Sequence, residues 1–343
     1  MSVDRFGGGR PVSRRCFFVG TMAAAGAAVG ASLEERALAA GAGEATAGPQ
    51  GAMPMGKIGK LSVSRLICGG NLISGFAHSR DLVYVSPLLK HYFTDEKVWE
   101  TWRVCEENGI NTMICNPRDE RAVRLFGEYR KRGGKIQWLA QVAPKPEALK
   151  EIVVRAVDAG ASGIFLLGNL GDRWVFDGRV DLIDGLVKLI QEQGIPAGVA
   201  GHSIETPLAC EDAGIPVDFY MKTLHRTDYW SARRPDQHKE VIDNYATDNY
   251  WDMEPDKTIA EMGKIQKPWI AYKVLAAGAI RPAKGFEYAF ASGADFACVG
   301  MFDFQIAEDV GIASAAVAKS AKRGRAWIDR KSTRLNSSHG KLS

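Results

Sequence analysis

Residues Lys267–Phe304 read KPWIAYKVLAAGAIRPAKGFEYAFASGADFACVGMFDF. A proline precedes the apolar run Trp269-Ile270-Ala271-Tyr272, which ends on Lys273 and the small-residue loop Leu275-Ala276-Ala277-Gly278. A short helix is expected within 283–292, stopping at Gly293, and Phe296-Ala297-Cys298-Val299 reads as a second buried strand before Gly300. Two apolar strands separated by a helix, each followed by a glycine-bearing loop, are the layout of the last quarter of a (β/α)8 barrel. Small residues in such loops let backbone N–H groups approach an anion, often a phosphate, or simply permit tight turns.

The same alternation runs back through the chain. Strands are expected over 65–68, 110–115, 136–142, 163–167, 197–200 and 217–221, and helices over 96–107, 120–132, 146–159, 180–193, 205–213 and 257–264. A last helix covers about 304–327, and 168–178 reads as a loop. The strands are short and continuously apolar, as parallel strands covered on both faces are. Eight such units in residues 53–330, with no early G-x-G-x-x-G, favour a single-domain α/β (β/α)8 TIM barrel over a doubly wound open sheet. In a barrel the site is built by the loops after each strand. Two of these are long, 72–94 and 222–256, and the second carries His225, Arg226, Asp228, Tyr229, Trp230, Arg233, Arg234, His238, Tyr245, Tyr250 and Trp251. Exposed aromatics beside charges suit a sugar or another polar ring; the alternative is that Trp230 and Trp251 pin the loop to the rim.

The composition is that of a globular protein: 46% hydrophobic and 24% charged over 343 residues, with a net charge of +4. There is no basic stripe with interleaved aromatics, which argues against a nucleic-acid partner. Ser13-Arg14-Arg15-Cys16-Phe17-Phe18, the small apolar run 17–31 and Ala37-Leu38-Ala39 together resemble a bacterial twin-arginine signal peptide. The expected organisation is therefore a signal over 1–39, a flexible Gly/Ala-rich linker over 40–52, the barrel over 53–330 and a tail over 331–343. That tail has no apolar periodicity and resembles translated adapter sequence. The resemblance implies the twin-arginine export machinery as a partner, a periplasmic or secreted mature chain, and no stable membrane insertion. Of six cysteines, Cys16 leaves with the signal. Cys68, Cys105, Cys115, Cys210 and Cys298 show no C-x-x-C spacing and are expected as buried thiols.

The segment GKIGKLSVSRLICGG, Gly56–Gly70, resembles the hairpin and first strand of aldo-keto reductases. Asn108-Gly109-Ile110-Asn111-Thr112 and Leu125-Phe126-Gly127-Glu128 resemble two further segments of that family. The likeness covers about 53–130. It implies the barrel, oxidoreductase ancestry, a small carbonyl or sugar substrate, and NADP(H) held around the last two loops. It does not carry the family's catalytic Asp, Tyr, Lys and His. Those positions fall here at Ile114 or Cys115, at Arg118 or Asp119, at Gln141 or Val142, and at Gly168 or Asn169. The whole chain also resembles a group of exported bacterial barrel proteins.

Other residues stand at the expected strand ends. Lys273 and Lys222 are the candidate charged centre. A lysine closing an apolar strand could form a Schiff base, act as an acid or base of lowered pKa, clamp an anion, or pair with an acid such as Asp303. His202 and His225 are the acid–base candidates. Gly278, Gly300 and Asn71 are expected around a cofactor or substrate anion, and Arg118, Tyr229, Trp230 and Asp303 around the substrate. His202, His225 and Glu205, with Asp228, form an alternative divalent-metal set, although no H-x-H or H-E-x-x-H spacing supports it. The three functions open at this point are a carbonyl-acting oxidoreductase relative, a metal-dependent or Schiff-base isomerase, lyase or aldolase, and a non-catalytic sugar-binding barrel.

Overall fold

The structure, a computed structural model, describes residues 53–233 and 248–328. The expected signal, linker and tail, and the loop residues Arg234, His238 and Tyr245, lie outside the described residues. Among the described residues no helix is long and apolar enough to cross a membrane.

The chain enters through a hairpin, β1 (Met55–Ile58) and β2 (Leu61–Ser64), with Ile58 paired opposite Leu61. Gly59 in its turn takes φ +56°, a conformation that costs a residue with a Cβ. Ile58 and Val63 are fully buried against Ile67, Leu139, Phe165 and Phe296, so the hairpin stops the amino-terminal end of the barrel.

Eight parallel strands close that barrel. They are β3 (Leu66–Cys68), β4 (Thr112–Cys115), β5 (Gln137–Val142), β6 (Gly163–Leu166), β7 (Ala197–Gly201), β8 (Phe219–Thr223), β9 (Trp269–Tyr272) and β10 (Phe296–Val299), with β10 pairing back to β3. Side chains alternate across each strand. In β5, Leu139 faces the interior, while Trp138 and Ala140 pack under the helices. In β9, Ile270 and Tyr272 face inward and Trp269 and Ala271 outward, which puts the Tyr272 ring inside the barrel at its carboxyl-terminal mouth.

The helices are α1 (Val85–Tyr92), α2 (Asp95–Glu107), α3 (Glu120–Lys131), α4 (Leu149–Asp158), α5 (Gly168–Phe176), α6 (Val180–Glu192), α7 (Glu205–Asp212), α8 (Pro255–Lys264), α9 (Pro282–Ala291) and α10 (Ile306–Lys319), and all but α1 and α5 fall near their expected places. Thr94 and Asp119 cap α2 and α3 through their side chains. Two expectations are corrected. The segment read as a loop over 168–178 is mostly α5, and the long loop over 72–94 contains α1. Gly171 permits the first: a Cβ there would stand 2.4 Å from the Ala200 carbonyl oxygen, so α5 lies directly against β7. The five described cysteines are buried free thiols.

Gly70, just past β3, meets a harder limit. A Cβ at this position would lie 2.2 Å from the carbonyl oxygen of Ile114, a backbone atom held in the barrel. Gly70→Ala is expected to cost roughly 1–3 kcal/mol of stability, as overpacking against an atom that cannot swing aside does. A lower denaturant midpoint at unchanged m value would show it; an unchanged midpoint would refute the contact.

At the opposite end, Asp295 anchors the last described segment. Its fully buried carboxylate accepts from Arg323 Nη2 at 2.8 Å, Arg325 Nη1 at 2.7 Å, and the backbone N–H groups of Trp269 and Ile328 at 3.0 Å each. Arg65 donates to the Asp295 carbonyl, and its guanidinium lies over the Trp327 ring.

Candidate active site

The mouth is roofed by the loops after β3 and β8. Arg80 pairs with Asp248 at 2.9 Å, Arg233 also reaches Asp248, and His78 meets Trp251 edge-on at a centroid distance of 5.2 Å. All non-glycine residues of positive φ among the described residues lie at this end: His78, Arg80, Lys273, Ala276 and Ala277, with φ between 45° and 60°. Such backbone costs of order 1–3 kcal/mol per residue and persists only where the surroundings enforce it.

Lys273 directly follows β9. Its Nζ is 3.0 Å from His78 Nε2 and 3.7 Å from the centre of the Trp251 ring. Asn71 Nδ2 is also 3.0 Å from His78 Nε2; both neighbours are donors, so Nε2 carries the lone pair. Among the described residues no carboxylate reaches ion-pair distance of Lys273. Asp303, offered as a partner and as a substrate residue, is engaged at the rim by Tyr92 Oη at 2.5 Å and Lys97 Nζ at 3.1 Å. Burial therefore dominates and lowers the Lys273 pKa to about 7, with the Asp248 charge acting in the other direction.

His202 follows β7 and is buried. Its Nδ1 is 2.9 Å from Asp172 Oδ2 on α5, and its own backbone N–H donates to the same carboxylate at 2.8 Å. Asp172 also accepts from Ser203 N and from Thr206 Oγ1. An acceptor at Nδ1 places the proton there and leaves Nε2 as the free base. Burial holds the His202 pKa below its usual value against the opposing pull of Asp172. The His202 ring lies 4.7 Å from Trp251 and 5.5 Å from Tyr272. The Tyr272 hydroxyl is buried with no hydrogen-bond partner among the described residues, and a Cβ on Gly168 would stand 2.4 Å from it and 3.1 Å from His202 Cε1. Burial raises the Tyr272 pKa well above that of a free phenol. Lys273, His202, Tyr272 and Trp251 thus form one cluster, with Asp172 behind His202.

Lys222 is in β8 rather than after it. It is fully buried, donating to the Thr223 carbonyl at 2.9 Å and Oγ1 at 2.8 Å, with Asp252 Oδ1 at 3.7 Å. Burial lowers its pKa, while Asp252 and Asp172 act upward. These contacts make it a support for the base of the roof.

Several expected roles are corrected. His225 donates from Nδ1 to the Arg226 carbonyl at 2.8 Å, and its Nε2 accepts from the N–H groups of Trp251 and Asp252 at 2.8 and 2.9 Å. Both ring nitrogens are committed, so His225 is a clasp for the roof loop rather than an acid or base. The alternative metal set does not converge: besides these two histidines, Glu205 is paired with Lys257 at 2.7 Å and Asp228 with Arg226. Gly278 offers no anion cradle, because its N–H and those of Ala276, Ala279 and Ile280 are spent on turns within the loop. At Gly300 the side chain of Leu72 fills the space, 2.8 Å from where a Cβ would sit. Asn71 supports His78. Gly278 and Gly300, expected to receive the phosphates of NADP(H), therefore offer no cradle at those two positions. Arg118 is exposed, with only its backbone N–H bonded, to Asn116. Tyr229 donates to the Asn249 carbonyl at 3.1 Å, and Trp230 is 92% exposed, so Trp251 is the tryptophan that pins the loop. The strand-end reading of the sequence includes neither Asp172 nor Tyr272, and leaves Trp251 open between stacking on a substrate and pinning the loop.

No protein-family model matches this chain, and no curated protein sequence matches it. Solved structures do. A Pseudomonas aeruginosa protein provisionally described as an aldo-keto reductase is 19% identical, over 77% of this chain and 94% of its own, with a TM-score of 0.54. A second structure so described, from the same organism, is 18% identical over 77% and 95%, with a TM-score of 0.51. A phospho-2-dehydro-3-deoxyheptonate aldolase from Thermotoga maritima is 12% identical over 78% and 74%, at 0.48. The likeness is one of fold alone, a (β/α)8 barrel.

Proposed function

We propose that the protein is an enzyme acting on a small carbonyl compound through the amine of Lys273, with His202 as acid–base partner and Asp172 as its positioning residue. The carrying observation is a lysine closing a barrel strand and packed on an indole, with no carboxylate at ion-pair distance among the described residues; burial lowers its pKa to about 7. Such an amine is substantially uncharged at neutral pH and so nucleophilic. The Nζ lone pair adds to the carbonyl carbon, and the C=O electrons pass to oxygen. That oxygen takes protons and leaves as water, giving an imine. His202 Nε2 takes and returns the protons, and the unpartnered Tyr272 hydroxyl donates a hydrogen bond to the substrate oxygen. The imine then acidifies the adjacent C–H or weakens the adjacent C–C bond, which is isomerase, lyase or aldolase chemistry. Neither Gly278 nor Gly300 offers a phosphate cradle, and no step is routed through a nicotinamide.

Borohydride trapping tests this. The folded protein is incubated with a panel of small aldehydes and ketones, reduced, digested and mapped by mass. A reduced adduct on Lys273 in preference to other lysines is expected; labelling that follows surface exposure alone would reject the reading.

Asp172→Asn tests the positioning role. Turnover is expected to fall by roughly 10²–10⁴-fold, the usual share of a positioned acid–base group. Removing the carboxylate also removes its upward pull on His202. The acidic limb of the pH–rate profile should therefore move to lower pH while the Lys273 inflection stays near 7. A loss of rate with no movement of that limb would make Asp172 merely structural.

The twin-arginine-like segment and the Ala37-Leu38-Ala39 site support export of the folded chain to the periplasm. Intact mass of protein from a bacterial periplasm should lack the first 39 residues; full-length chain confined to the cytoplasm would refute this.

A further inference from the structure

Trp251 occupies the middle of the proposed site. Its indole lies 4.7 Å from the His202 ring, tilted at an interplanar angle of 31°, and Lys273 Nζ stands 3.7 Å from its centre. His78 closes its edge at 80°. The side chain is 1% exposed. The nucleophile and the base therefore both face this ring, and a substrate that touches both must take its place.

The indole is held from outside the barrel. His225 Nε2 grips the backbone N–H of Trp251, and the Arg80–Asp248 pair ties the loop after β3 to the loop that carries it. Arg80 and its neighbour His78 both hold left-handed backbone, φ 51° and 50°, so the closed arrangement keeps strain in the tether.

Resting on the imine-forming role of Lys273, we propose that Trp251 is a displaceable plug, and that the slot it vacates selects carbonyl compounds bearing a flat, π-faced ring. One wall of the slot is an imidazole face tilted 31° to the indole, and an amine stands where a cation or a nucleophile meets a π-face. A planar aromatic aldehyde or ketone replaces both contacts when the indole leaves. A short aliphatic carbonyl replaces neither, and leaves the His202 face without a partner.

Two measurements test this on the folded protein. The first is acetylation of Lys273 by acetic anhydride at pH 8, read by peptide mass; it needs no imine. Trp251→Ala is expected to raise the Lys273 labelling rate by about tenfold or more. Arg80→Ala, which cuts the tether but keeps the indole, should raise it by a smaller factor and guards against simple misfolding of Trp251→Ala. Equal rates in all three proteins would overturn the plug. The second is borohydride trapping with indole-3-carbaldehyde and with butanal at equal concentration. Preferential labelling of Lys273 by the aromatic aldehyde, increased in Trp251→Ala, is expected. Equal labelling by both aldehydes would overturn the slot. Faster acetylation in the variants with no trapped adduct from either aldehyde would keep the plug, overturn the ring selectivity and reject the imine chemistry on which that selectivity rests.

Discussion

Lys273→Ala is expected to abolish adduct formation and to lower turnover by about a thousandfold or more, since no second amine can take its place. The fold should survive. The lysine makes no ion pair among the described residues and its burial as a charged group is unfavourable, so removing it takes away a desolvation cost along with contacts. The linkage sign supports this. The folded-state pKa is about 7 against an ordinary 10.5, so between these values the unfolded chain binds more protons and wild-type stability rises with pH. In Lys273→Ala that rise between pH 7 and 10 should shrink. Lys222 does not substitute, because its amine is already committed to Thr223 and Asp252. An alanine variant with full turnover would remove Lys273 from the chemistry.

The largest effect on stability is expected at the other end of the barrel. Asp295→Ala leaves Arg323 and Arg325 buried without their counter-ion, and strips the backbone N–H groups of Trp269 and Ile328 of their acceptor. Breaking one side of a buried ion pair costs about 3–5 kcal/mol. The denaturant midpoint should fall accordingly, and residues 320–328 should lose hydrogen-exchange protection first, because Asp295 is what draws them onto the barrel. A loss below about 1 kcal/mol, the range of exposed pairs, would show that the segment is held by Trp327 and its arginine neighbours instead.

The barrel was legible because its strands are short, wholly apolar and punctuated by glycine. The bounds of β9 and β10 coincide with the runs read in the sequence, since both carry side chains packed on two faces. The helix α5 was not legible. Gly-Asn-Leu-Gly has low helix propensity and no capping side chain, and only close packing against β7 makes it helical. Missing α5 meant missing Asp172, and with it the tautomer of His202. The strand-end rule found Lys273 and His202, whose positions follow from the barrel alone. It could not rank them against Lys222 and His225, because only the folded contacts show which nitrogens are spent. Trp251 and Tyr272 were hidden for another reason: in sequence they are an anchoring aromatic and a strand residue, and both reach His202 only once the loop carrying Trp251 closes over the barrel mouth.

The central claim is that Lys273 is an uncharged amine near neutral pH, poised at the mouth of the barrel. Competitive labelling of Lys273 with trace acetic anhydride across pH 5 to 11, normalised to an exposed lysine such as Lys264 and read by peptide mass, measures this directly. The reactivity of Lys273 should titrate with a midpoint of about 7. A Lys273 midpoint near 10.5 would contradict the account, because the amine would then be protonated under the conditions in which it is assigned to react.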